Sequence, residues 1–120
     1  MTAPFITTDQ VLAALGTHVG KDNGIHVREL VARITGLAAN PVSQERRVRK
    51  AIEELRRKGT QICGKPESGY FLAATEAELL ETCSYLRARA ISGLVTESRM
   101  RQISLPELLG QIDFVNESNA

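Results

Sequence analysis

Tryptophan is absent from this 120-residue chain, and aromatic residues make up only 4% of it. Platforms for single-stranded nucleic acid stack bases on exposed rings, so this composition argues against that class. Two cysteines, Cys63 and Cys83, are too few for a disulfide scaffold. Both are expected as reduced, small buried hydrophobes. His18 and His26 are the only histidines, and their spacing from the cysteines matches no zinc-finger pattern. There is no Gly-rich phosphate loop, no G-x-S-x-G, no H-E-x-x-H and no clustered carboxylate pair. No enzyme, cofactor or metal is therefore expected. No apolar run approaches the roughly 20 residues that span a membrane. The first ten residues, MTAPFITTDQ, lack the basic and long apolar regions of a secretory signal, so a cytoplasmic location is the default expectation.

Net charge is also nearly absent, at +1, but its distribution is uneven. Between residues 46 and 58 stand Arg46, Arg47, Arg49, Lys50, Arg56, Arg57 and Lys58, against only Glu53 and Glu54. This segment carries +5, and the rest of the chain carries −4. Val48, Ile52 and Leu55, with Ala51 beside them, recur at helical spacing and give the segment one apolar stripe. At 100° per residue Arg46, Lys50 and Arg57 fall opposite that stripe, flanked by Ser43, Arg47 and Arg49. These side chains are of the types that bond phosphates and the acceptor edge of guanine. A basic helix face of this kind is an electrostatic footprint for nucleic acid, although a solvated amphipathic helix has the same pattern.

The neighbouring segments shift the balance toward the first. Ile25-His26-Val27 reads as extended, with alternation placing His26 at the surface. Leu30, Val31 and Ile34 then give a short helix, with Glu29 early, Arg33 late and Thr35-Gly36 at its end. Pro41 disfavours helical geometry at Asn40, so the basic helix is expected to start after it. Two helices joined by a turn, the second one basic, make a helix-turn-helix. Gly59 stops the basic helix. Thr60 to Cys63 reads as a strand, Gly64 to Gly69 as a turn, and Tyr70 to Ala73 as the returning strand.

These features carry a family resemblance. In GIHVRELVARITG, RRVRKAIEELRRKG and QICGKPESGYFLA, the span Gly24 to Ala73 resembles the winged-helix domain at the N-terminus of biotin-repressor-type regulators. A small wing followed by a helical tail also resembles small phage- or prophage-encoded proteins. The resemblance covers about fifty of the 120 residues. It implies double-stranded DNA as partner, with the helix from Ser43 to Lys58 in the major groove and the hairpin near the backbone. The connection LAANPVSQER is longer than the short turn of many such domains. No ligase domain is expected after Ala120.

On this reading Ser43, Gln44, Arg46, Arg47, Lys50, Arg57 and Lys65 are the candidate DNA contacts. Gln44 ranks lower because its helical angle lies nearer the core, and Lys65 sits at the hairpin tip. Thr8, followed by Asp9, is the expected cap of a first helix whose apolar set is Val11, Leu12 and Leu15. Residues 16–24 read as a polar loop. Thr75 and Glu78 form a capping box for a long helix carrying Leu79, Cys83, Leu86, Ala90 and Leu94, widened by Leu80 and Ile91. This stripe either packs back on the domain or pairs with a second copy; a homodimer through residues 76–94 and 105–112 is expected. Ser92-Gly93 is expected to weaken the helix. Ser104 and Glu107, with Pro106 in the first turn, open a second short helix containing Leu105, Leu108, Leu109 and Ile112.

The expected fold is therefore mostly α with a small β-hairpin wing, a winged helix-turn-helix followed by a C-terminal helical extension. The expected parts are residues 1–74, an extension over 75–112 and a tail over 113–120. A small transcriptional regulator or phage-type DNA-binding protein is the expected function. The competing class is a winged-helix module that binds protein and not DNA.

Overall fold

The computed structural model describes residues 6–36, 42–65 and 68–112. Among these the chain is mostly helical, with five α-helices and one two-stranded antiparallel sheet. The elements are α1 (Thr8–Leu15), a 3-10 turn (Lys21–Asn23), α2 (Val27–Thr35), α3 (Val42–Arg57), β1 (Ile62–Lys65), β2 (Gly69–Leu72), α4 (Glu76–Arg101) and α5 (Leu105–Gln111). The expected turn at Leu37–Pro41 and the tail from Asp113 lie outside the described residues.

Helix α1 is capped one residue earlier than expected. Thr7 Oγ1 accepts from Gln10 N (3.2 Å), and Thr7 N donates to Gln10 Oε1 (2.9 Å). This reciprocal pair needs a side-chain acceptor three residues after the cap, which Gln10 provides for Thr7. Thr8 is accordingly the first helical residue. Val11 and Leu15 are buried, but Leu12 is 37% exposed, so the expected apolar set is only partly core.

Helix α2 ends as expected at Gly36, whose φ of 73° supplies the left-handed cap. Helix α3 ends on a Schellman motif: Thr60 N donates to Leu55 O (3.0 Å) and Gly59 N to Arg56 O (3.0 Å). Helices α1, α2 and α3 pack around one core of Val11, Leu15, Leu30, Val31, Val48 and Ile52, joined by Ile25, Leu55 and Ile62.

The hairpin register pairs Ile62 with Leu72, Cys63 with Phe71, Gly64 with Tyr70 and Lys65 with Gly69. Gly64 and Lys65 therefore belong to β1, where the composition suggested a turn. The strands keep the expected length of four residues but sit nearer the turn, and backbone pairing beyond the two strands holds β2 in place. Ile25 N donates to Tyr70 O and Tyr70 N to Ile25 O, both at 2.8 Å, while Leu72 N donates to His18 O (2.7 Å). The hairpin is thus fastened to the segments on both sides of the 3-10 turn. Gly69 permits this close approach: its φ is +72°, and a Cβ there would lie 2.8 Å from the Ile25 carbonyl carbon.

Residues 16–24 are correspondingly more ordered than a polar loop. Arg33 Nη1 donates to His18 Nε2, and since arginine cannot accept, His18 Nδ1 carries the proton donated to Asn23 O (2.7 Å). Cys63 is buried as expected, and Cys83 is exposed, contrary to expectation.

The chain divides into two compact units, Met1–Thr82 and Cys83–Ala120, with the division inside α4. Helix α4 continues through Ser92 and Gly93 without a break. One glycine costs a helix only about 1 kcal/mol relative to alanine, too little to interrupt 26 residues. In the second unit Ser104 Oγ caps α5 by accepting from Glu107 N (3.2 Å), and Arg101 Nη2 donates to Gln111 Oε1 (2.9 Å). Leu108 is buried, so part of the α5 stripe is covered within the chain itself. Ile112 lies just past the helix with extended backbone.

Candidate functional site

Helix α3 positions most of the candidate side chains. Val48, Ala51, Ile52 and Leu55 anchor its inner face in the core. Their burial fixes the rotation of the helix about its axis, and so decides which side chains face outward. Ser43, Arg46, Arg47 and Lys50 are all exposed. Their spacing of three, four and seven residues places them together on one face of the N-terminal half. Neither Arg46 nor Lys50 has an ion-pair partner among the described residues. Arg47 Nη1 reaches Gln44 Oε1 at 3.5 Å.

Gln44 must be withdrawn as a DNA contact, since it is only 1% exposed. It precedes Val48 by four residues and therefore continues the buried stripe by one turn. That signal was legible in the helical angle, and the structure shows it to be decisive.

The C-terminal half of α3 is less free than its charge count suggests. Arg57 is exposed on the outer face, and its Nη2 lies 3.2 Å from Glu53 Oε1. In the N-terminal half the flanking Arg49 has such a pair, with Glu45 at 3.5 Å. Arg56 serves the fold: its Nε donates to Ile62 O (2.8 Å), and its guanidinium lies over the Tyr70 ring at 5.7 Å. The cationic face is therefore concentrated at the N-terminal end of α3. There Arg47 and Lys50 line an open cleft of about 400 Å³ with Ile6, Thr7, Thr8, Ala51 and Glu54.

Lys65 stands at the end of β1 beside the turn, but its ammonium does not project from a free tip. Its Nζ lies 3.3 Å from Glu81 Oε1 on α4, and its side chain is only 29% exposed. Lys21 Nζ approaches the same oxygen at 3.4 Å. The Lys65 hydrogen bond and the nearby Lys21 charge hold the Glu81 carboxyl below its ordinary value. Glu78, one turn earlier, works differently. Its two oxygens accept from Lys21 N and Ala74 N, both at 2.9 Å, and these backbone donors lower its carboxyl as well. Thr75 caps α4 as expected, accepting from Glu78 N (3.2 Å).

The sequence pattern did not single out Lys21 or Glu81, and it gave Glu78 only a part in capping α4. It also placed Arg49 only on the flank of the basic face. In the structure Arg49 and Lys65 line one cleft with His26, Val27, Gly69 and Tyr70, so the flank of α3 and the hairpin end lie side by side. Composition carries no signal for this proximity, which the Ile25–Tyr70 backbone pairing creates.

Among the described residues no group of His, Cys, Asp and Glu is placed to hold a metal ion. No described helix is long and apolar enough to cross a membrane. Comparison with family models, with curated proteins and with solved structures gives no match to this chain.

Proposed function

We propose that this chain is a winged-helix protein that binds double-stranded DNA in the cytoplasm, as a small transcriptional regulator or phage-type DNA-binding protein. The observation that carries this reading is the exposed set Ser43, Arg46, Arg47 and Lys50 on a helix whose opposite face is locked in the core. Locking matters because these cations cannot turn inward or be covered by the helix itself. A rigid helix presenting three cations and a hydroxyl over two turns suits a groove bordered by phosphates. The hairpin and the Arg49 flank then lie toward the DNA backbone.

A titration against duplex DNA at two salt concentrations tests this. Binding at low salt should weaken steeply as salt rises, because each neutralised phosphate releases counterions. Absence of binding at low salt favours the second reading, a protein-interaction module. The pairing of Arg49 and Arg57 with carboxylates on their own helix is the observation on that side.

The proposed assembly is a homodimer through residues 76–94, with a smaller share from 105–112 because Leu108 is already covered. Leu86 and Ile91 are 40% and 44% exposed, and Cys83 and Ala90 lie beside them on the same stripe. The first turn of α4 carries Glu76 and Glu78, and its last turn carries Arg99 and Arg101. Leu86→Asp should lower the mass seen by sedimentation to that of a monomer. A wild-type protein that sediments as a monomer at micromolar concentration would rule this assembly out.

A further inference from the structure

Lys65 and Lys21 share a single carboxylate oxygen of Glu81. The contact lies on a fixed frame. Gly64 N donates to Thr82 Oγ1 (3.2 Å), and Cys63 Sγ donates to Glu78 O (3.6 Å), so the start of α4 is bonded along β1. The cleft between these groups holds about 150 Å³ and is lined by Lys21, Lys65, Phe71, Glu81 and Thr82. It has room for a few water molecules.

We propose that Glu81 is an internal competitor for DNA phosphate, holding Lys65 and Lys21 on α4 until duplex displaces it. This inference rests on the DNA-binding reading above. Glu81 is about half exposed, so the pair is open to water and to an incoming phosphate. Ion pairs of this exposure are weak and screened by salt, which makes the exchange reversible. Glu78 has a separate task, since it accepts from backbone amides and releases no lysine when it moves. The carboxylate also sets a threshold: the hairpin end contributes to binding only where a phosphate can take its place.

The test compares the full-length wild type with Glu81→Gln, Lys65→Ala, the Lys65→Ala/Glu81→Gln double variant and Glu97→Gln. The probe is one duplex titrated across a range of salt. Glu97 pairs with Arg101 elsewhere on α4, so its variant makes the same change in net charge without uncovering Lys65. Glu81→Gln should bind roughly three- to tenfold tighter at low salt, with a log–log salt slope about one unit steeper. Lys65→Ala alone should change affinity less than about twofold, and the double variant should lose most of the Glu81→Gln gain. An unchanged Glu81→Gln affinity in a protein that binds duplex overturns the competitor while leaving the DNA-binding reading intact. The same gain in Glu97→Gln, or a gain that survives loss of Lys65, also overturns it. Binding by Glu81→Gln where wild type shows none supports it in its strongest form. If neither binds, the DNA-binding reading fails and takes the competitor with it.

Discussion

Replacing Arg46 and Lys50 together with alanine should abolish most duplex binding. Each side chain is exposed on the outer face of α3 and has no competing ion pair among the described residues. Each is therefore available for a phosphate or a base edge in full. Loss of one such contact costs about 1–3 kcal/mol, so the pair should weaken binding by more than tenfold and reduce the salt slope by about two. A filter-binding or anisotropy titration across salt reads both quantities. Lys50→Ala alone should exceed Lys65→Ala, because Lys65 begins in a pair with Glu81 at 3.3 Å. If Lys65→Ala dominates, the hairpin and not α3 is the reader. If the double variant binds with an unchanged slope, α3 does not touch the backbone.

Leu15→Ala should be the most damaging single truncation in α1, and Leu12→Ala one of the mildest. The two leucines stand three residues apart in the same apolar set. Leu15 is fully buried in the three-helix core, whereas Leu12 is 37% exposed. Truncating a fully buried leucine costs about 2–5 kcal/mol, part of it for the cavity that remains. For a unit of this size that corresponds to a fall in melting temperature of roughly 10 °C or more. Leu12→Ala removes a partly hydrated side chain and leaves no cavity, so its cost should stay below about 1 kcal/mol. Thermal melts by circular dichroism separate the two. Equal losses would mean that Leu12 is covered in solution, for instance by a second chain.

Features governed by neighbours within a turn or two were legible from the residues. The stop at Gly59, the left-handed cap at Gly36, the Thr75 and Ser104 caps and the inner stripe of α3 all depend on local hydrogen bonds or on helical periodicity. Both are written in consecutive residues. The location of the excess positive charge was legible for the same reason, since charge is a property of composition. Even the burial of Gln44 was present in its angle to Val48, outweighed only by its position at the start of a basic helix.

What the tertiary structure decided was which charges have partners. Lys21 meets Glu78 and Glu81 across 57 and 60 residues, and Lys65 meets Glu81 across 16. An electrostatic interaction depends on separation in space, and no periodicity reports which distant residues the fold brings within 4 Å. The same holds for the hairpin, whose second strand is bonded to Ile25 and His18, backbone partners from another part of the chain. It holds also for Cys83 and Leu86, whose exposure on α4 the apolar spacing does not report. A residue type states what a side chain can bond; only the packing of the whole chain determines what lies beside it.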